Sequence, residues 1–470
     1  MISRNIFLNI SPLDHRYYLA NRNLFDRLAL YLSEEANVRY CIKVEIALLK
    51  THMIFAYPAG IPDSLLKEMD SIENAIDPEE IYREEAKTHH NIRALVNVLK
   101  RYVPEKFKNL VHLGATSADI LDTASAVQYR DVFTEVVLPL LIELENTLIN
   151  ITLNEAETPQ VGRTHGQHAV PITFGFAVAE YVARLGKSIL RIQRLTNELK
   201  GQLSGAVGAY NAIGLIIDDP IKFEKTFLKH FNLEPSEYSN QLVEPEYLLN
   251  LLLELNTAFG IIANIADDLR NLQRTEIAEV QEYFSENQVG SSTMPQKRNP
   301  WNSEHVKSLW KSFSPRVATF FMDQISEHQR DLTNSASKRF TADYLAGFCA
   351  AGSRITKVLA SLRINREKML SNLLLRGDLI LSEALYILLA RSGQQNAHEL
   401  VKQLTLRRDE TNKTLKEIIK EDSNLNSLIE KELKKNLNLM EHDFWLNPEK
   451  YNGIAAQKAK QIALKYKKMF

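Results

Sequence analysis

Three stretches in the middle of the chain carry apolar residues at three- and four-residue steps over unusually long windows: about Ile120 to Glu155, Pro171 to Lys200, and Pro245 to Phe284. This periodicity constrains the fold more than any other feature. Glycine is scarce (17 of 470 residues), helix formers dominate, and runs of alternating strand character are few. At ~1.5 Å per residue, a helix as long as the third stretch reaches about 60 Å. Helices of that length rarely stand alone; they stack in bundles or across subunits. Pro171 suits the first turn of the second helix and Gly201 its stop. A fourth helix is predicted from Pro300 through His305 to about Glu327.

Two smaller helical regions flank this middle. The first contains the breaks Tyr57-Pro58-Ala59-Gly60 and Ile76-Asp77-Pro78. The second begins near Leu362-Arg363-Ile364-Asn365 and is rich in Lys and Glu. The predicted architecture is all-α with three domains, 1–112, 113–362 and 363–470, the central one a bundle that assembles into an oligomer. Leu248 to Ala266 could pass for a membrane span, but Glu254 lies inside it, and a charge at the bilayer centre costs about 2.5–3.5 kcal/mol. A buried bundle helix fits better. The N-terminal segment lacks a basic stretch followed by a long apolar run, so no secretory signal is expected. Net charge is −1, which gives no basis for non-specific binding to nucleic acid or an anionic membrane. Two cysteines, Cys41 and Cys349, suggest a reducing compartment such as the cytoplasm.

The richest polar stretch is Gly290-Ser291-Ser292-Thr293-Met294-Pro295-Gln296-Lys297-Arg298-Asn299-Pro300. It holds a flexible turn, two adjacent hydroxyls, a cation and an amide. A site that takes a proton from beside a carboxylate needs such groups: a hydroxyl as base, and a Lys and an Asn for an anion whose charge grows in the transition state.

Five shorter islands interrupt the helical pattern. Ser11 to Tyr17 sets Arg16 beside Tyr17, a pair that can clamp a phosphate or form a plain surface turn. Thr88-His89-His90-Asn91 carries adjacent histidines, which on a helix point different ways; no Cys pair or His-Glu-x-x-His pattern accompanies them to suggest a metal. His112 to Asp119 places Thr116 and Ser117 where a helix begins, as carboxylate ligands or as an ordinary N-cap. Gly162 to His168 offers His165 as a general acid or as a loop histidine; a third metal ligand beside His168 is not evident. Gln329 to Arg339 offers Arg330, Ser335 and Arg339 to an anion, or is a charged helix end.

Together these islands resemble the fumarase/aspartase superfamily of lyases and, within it, the adenylosuccinate lyase family. GSSTMPQKRNP matches the superfamily signature, while SPLDHRY, THHNI, HLGATSADILDTA, GRTHGQHAVPITFG, SGAVGAYN and QRDLTNSASKR follow the family's order. The resemblance implies a homotetramer whose central helices form a twenty-helix bundle, with each active site drawn from three subunits. It implies β-elimination of fumarate from adenylosuccinate, giving AMP, and from the succinylated aminoimidazole carboxamide ribotide. Ser291 would be the general base, His165 the general acid and Glu304 the residue that orients it. Lys297, Asn299, Thr116 and Ser117, with Ser292 alongside, would hold the succinyl carboxylates. Arg16, Tyr17, Arg330, Ser335 and Arg339 would bind the nucleotide, with His90, Asn91 and Gln241 lining the same pocket. No metal or cofactor is implied.

Three positions depart from the family's pattern: Gln296 where many members carry His, Asn91 where Asp is usual, and His305 where Asn is common. Gln296 is also found in argininosuccinate lyase, which with a carboxymuconate cycloisomerase is the competing enzyme reading. A helical oligomer kept for a structural role is the reading from another class.

Overall fold

The computed structural model describes residues 5–57, 60–285, 287–435 and 441–470. Pro58 and Ala59, half of one predicted break, lie outside the described residues. The all-α expectation holds: helices carry the structure, and the strands described form three two-stranded pairs. The chain divides into two units. One comprises Met1–Leu141, Ser188–Gly260 and Ser308–Ser353; the other comprises Ile142–Lys187, Ile261–Lys307 and Arg354–Phe470.

In the first unit, local signals set the N-terminal helices. Asp77 caps the Pro78–Thr88 helix by accepting the Glu79 N–H (3.0 Å), and Pro78 occupies the first turn, where its missing N–H costs nothing. The first long stretch forms helix from Ser117 to Val132, widens to a π turn at Phe133–Val137, and continues as Leu138–Asn154. Pro139 explains the widening. It has no N–H for the Glu135 carbonyl, and its ring would crowd that oxygen in α geometry. The Arg27 guanidinium donates to the Glu135 carbonyl instead. The core of this unit includes edge-to-face pairs of Phe259 with Phe348 and of Phe320 with Tyr344, both with centroids 5.3 Å apart. A Cβ at Gly347 would lie 2.4 Å from the Phe313 ring, so glycine is what lets the two elements approach.

In the second unit the sequence reading needs correction at the start of the second long helix. Pro171 is not in a helix. It pairs with Val161 in an antiparallel hairpin of Pro159–Thr164 and Gln167–Thr173, and the helix runs from Phe174 to Asn197. The hidden cap is Thr173, whose hydroxyl accepts the Phe176 N–H (3.2 Å). The third long helix spans Glu246–Leu272 and stops well short of Phe284. Ala278 turns the chain through the left-handed region (φ 50°), which brings the Glu279 N–H onto the Leu272 carbonyl (2.9 Å). The fourth is broken at Ser314-Pro315 into Trp301–Phe313 and Arg316–Met322, because Pro315 cannot donate within the helix. Toward the C-terminus, Leu381, Leu385, Leu389, Ile418, Ile429 and Phe444 form part of a buried apolar cluster.

Ser117–Asn154 and Glu246–Leu272 are long and apolar enough to cross a membrane by length and composition, but 56 % of each apolar window is buried within the protein. Glu254, the charge inside the second, accepts from the Ser188 hydroxyl and lies 3.7 Å from Arg191. Both helices have the character of core elements.

Candidate active site

The loop with the richest chemistry lies in the second unit, between the Val280–Gln281 strand and the Trp301–Phe313 helix. Ser291 Oγ accepts the backbone N–H groups of Met294 (3.1 Å) and Thr293 (3.4 Å). Asn299 Nδ2 donates to the Gly290 carbonyl (3.0 Å), and the Lys297 N–H to the Met294 carbonyl (3.0 Å). A Cβ at Gly290 would lie 2.1 Å from the Lys297 carbonyl oxygen. Ser291 and Asn299 are half-buried, whereas Ser292, Gln296, Lys297 and Glu304 are exposed.

Sequence reasoning missed what holds this loop. Glu282, buried just before it, accepts from the Ser303 N–H (2.8 Å) and hydroxyl (2.6 Å) and from the Asn302 N–H (3.2 Å) and Nδ2 (3.0 Å). A carboxylate at a helix N-terminus satisfies orphan donors and complements the helix dipole.

His165 sits with Gly166 in the two-residue turn of the hairpin, both at positive φ (54° and 74°). Such turns demand left-handed residues, and His tolerates that region better than most side chains. The turn leaves His165 exposed. The strands below it are anchored by Glu279, which is fully buried and accepts from Gln160 (2.8 Å), Asn372 (2.9 Å) and both terminal nitrogens of Arg163. His168 is held neutral more firmly than usual, by burial first and then by Arg163. Among the described residues no group of three or more His, Cys, Asp or Glu is placed to hold a metal ion, and no hydrogen bond joins His165 to Ser291 or Glu304.

In the first unit, Thr116 and Ser117 are half-buried at the start of the Ser117–Val132 helix, as predicted. Asp119 carries the cap: it accepts from the N–H groups of Thr116 (2.8 Å), Ser204 (3.0 Å) and Gly205 (3.2 Å). Burial pushes its carboxyl up to about 6, against the pull of those three donors. The segment Ser204 to Asn211 is thereby tied to the helix start. One turn on, Asp122 accepts the Val243 N–H (3.0 Å) and faces Lys338 Nζ (3.4 Å). Arg330 Nη1 donates to Gln241 Oε1 (2.6 Å), and Gln202 donates to the Gln241 carbonyl (2.7 Å). The helix start, Gln241 and Arg330 thus belong to one linked arrangement. Beside it, His112 stands at φ 60° with Nδ1 2.7 Å from the buried Glu45. Burial lowers the His112 pKa, but the hydrogen bond and charge of Glu45 outweigh it, and the net direction is upward.

The other predicted ligands are less connected. His89 and His90 are not on a helix: His89 closes one helix in the left-handed region and His90 caps the next, its Nδ1 accepting the Arg93 N–H (3.3 Å). His90, Asn91, Arg16, Ser335 and Arg339 are exposed, and Tyr17 is half-buried. Arg330, by contrast, is held by a side-chain hydrogen bond to another predicted ligand, Gln241.

Comparison with known proteins gives one consistent result. A family model described as lyase matches residues 26–311, and one described as adenylosuccinate lyase C-terminal matches residues 326–443. The chain is 33 % identical over 461 residues to the adenylosuccinate lyase of Pyrococcus horikoshii, covering 96 % of this chain and 97 % of the relative. It is 32 % identical over 465 residues to that of Archaeoglobus fulgidus, covering 96 % and 98 %. Among solved structures it is similar to the 3-carboxy-cis,cis-muconate lactonizing enzyme of Pseudomonas putida, with a TM-score of 0.77 at 25 % identity over 97 % of this chain and 99 % of the other. By family models and near full-length identity, the chain belongs to the adenylosuccinate lyase family, within the fumarase/aspartase superfamily.

Proposed function

We propose that this chain eliminates fumarate from adenylosuccinate to give AMP, and acts likewise on the succinylated aminoimidazole carboxamide ribotide of purine biosynthesis. Ser291, as alkoxide, takes a proton from the succinyl carbon next to the carboxylate. The electron pair forms the double bond of fumarate, the carbon–nitrogen bond breaks, and His165, oriented by Glu304, protonates the departing nitrogen. Lys297, Asn299, Thr116, Ser117 and Ser292 hold the carboxylates. Arg16, Tyr17, Arg330, Ser335 and Arg339 bind the nucleotide, and His90, Asn91 and Gln241 line its pocket. The working form is a cytoplasmic homotetramer with each site drawn from three subunits, and the three-part division at residues 112 and 362 separates its functional regions.

The observation that carries this reading is the Ser291 oxygen accepting two backbone N–H groups. A serine hydroxyl is far too weak a base at neutral pH, and donors already aimed at its oxygen favour the alkoxide. The test offers adenylosuccinate and argininosuccinate to the purified protein and follows ultraviolet absorbance. Turnover of the first is expected; turnover of argininosuccinate alone would sink the assignment.

A further inference from the structure

We propose that Glu282 is a positioning residue for the elimination, clasping the two stems of the Ser291 loop so that the serine hydroxyl stands in one place. This rests on the lyase reading above. Glu282 is 5 % exposed, and each of its oxygens accepts two hydrogen bonds, Oε1 from Ser303 and Oε2 from Asn302. Its own N–H donates to Gln273 Oε1 (2.8 Å), while Gln273 Nε2 reaches the Arg298 carbonyl (3.2 Å). Asn302 is fixed in turn by Arg354 Nη1, which donates to its Oδ1 (2.8 Å). One carboxylate and one amide therefore tie the chain before the loop to the chain after it.

A cap alone requires less than this. An N-cap residue satisfies one or two orphan N–H groups from its own position in the chain. Here Asn299, the nearby capping type, turns its amide to the Gly290 carbonyl, and Glu282 serves the helix start from across the loop. The clasp fixes where the loop begins relative to where it ends, and Ser291 lies between. Displacing a reacting group by about 1 Å costs on the order of 10²-fold in rate.

Glu282→Gln sets an amide NH₂ against donors, and Asn302→Asp alone sets carboxylate against carboxylate. In the double variant the new amide donates to the new carboxylate, which remakes the side-chain contact with reversed polarity while the backbone N–H of residue 302 still faces the amide, so recovery is partial. The expected result is a kcat about 10²-fold lower for Glu282→Gln with KM within about threefold, and recovery of about tenfold in the double variant. Amide hydrogen exchange should quicken across 287–300 and stay unchanged in the Phe174–Asn197 helix. An unchanged kcat overturns the proposal, as does a loss that the double variant does not recover. If the wild-type protein fails to cleave adenylosuccinate, the lyase reading falls while the exchange measurement still decides the clasp: unchanged exchange across 287–300 overturns it.

Discussion

Gly290 lies against the carbonyl of Lys297, so close that a Cβ at 290 would stand 2.1 Å from that oxygen. No backbone φ requires glycine there; the approach of the two strands of the loop does. Alanine at 290 must push the Lys297 carbonyl aside, and with it the Gly290–Asn299 hydrogen bond (3.0 Å). Since Ser291 follows at once, Gly290→Ala should lower kcat by about 10²-fold. The melting temperature should stay within a few degrees, because the loop is peripheral to the core. Steady-state kinetics beside a thermal melt checks this; wild-type kcat would show that the loop closes without the contact.

Ser291→Ala and His165→Ala should each reduce turnover by at least about 10³-fold, near the upper part of the range for a positioned acid or base. Both side chains lie outside the packed core, one half-buried in a loop and the other exposed in a hairpin turn, so assembly and helix content should survive. Sedimentation and circular dichroism read the second expectation. Near-normal rates for Ser291→Ala would mean that another group is the base.

The long helices were legible because their period persists through many turns, and the Ser291 loop because its order of chemistry is improbable for a linker. What stayed hidden was set by partners remote in sequence. Pro171 resembles a helix start until its pairing with Val161 is known. The stretch after Leu272 keeps helical periodicity, yet Glu279 is drawn to Gln160 and Arg163, 119 and 116 residues away, and Glu282 to Ser303, 21 residues on. In the sequence these two glutamates are indistinguishable from surface acids. Their burial, which makes an unpaired charge intolerable, is what turns them into anchors.

Arg330 is half-buried, bound to Gln241 through Nη1 alone, and its Nε is buried with no partner among the described residues. A guanidinium fixed at one nitrogen with donors to spare is suited to a phosphate. Arg330→Lys keeps the charge and loses the fork, so KM should rise about 10- to 100-fold, the equivalent of one charged hydrogen bond. Inhibition by AMP should weaken in parallel and inhibition by fumarate should not. If both inhibitors weaken equally, Arg330 does not distinguish the nucleotide end of the substrate.

Glu145 is fully buried in the Leu138–Asn154 helix, and neither carboxyl oxygen has a partner among the described residues. Gly186 and the Tyr466 ring close over it: a Cβ at Gly186 would lie 2.4 Å from the ring and 2.9 Å from Glu145 Oε1. Burial pushes its carboxyl up to about 9. The folded state therefore holds a proton that the unfolded state releases near the ordinary Glu value of 4.5. Stability from this group is complete below that value, declines as pH rises, and levels off beyond about 9. Between pH 5 and 8 the loss is on the order of 4 kcal/mol. Glu145→Gln removes the titration while keeping the shape, so its melting temperature should fall less over that range and exceed that of the wild type at the alkaline end. Thermal melts at several pH values make the comparison. Parallel profiles for the two proteins would mean that Glu145 ionises inside the fold as readily as outside it, through a partner or a water that balances the charge.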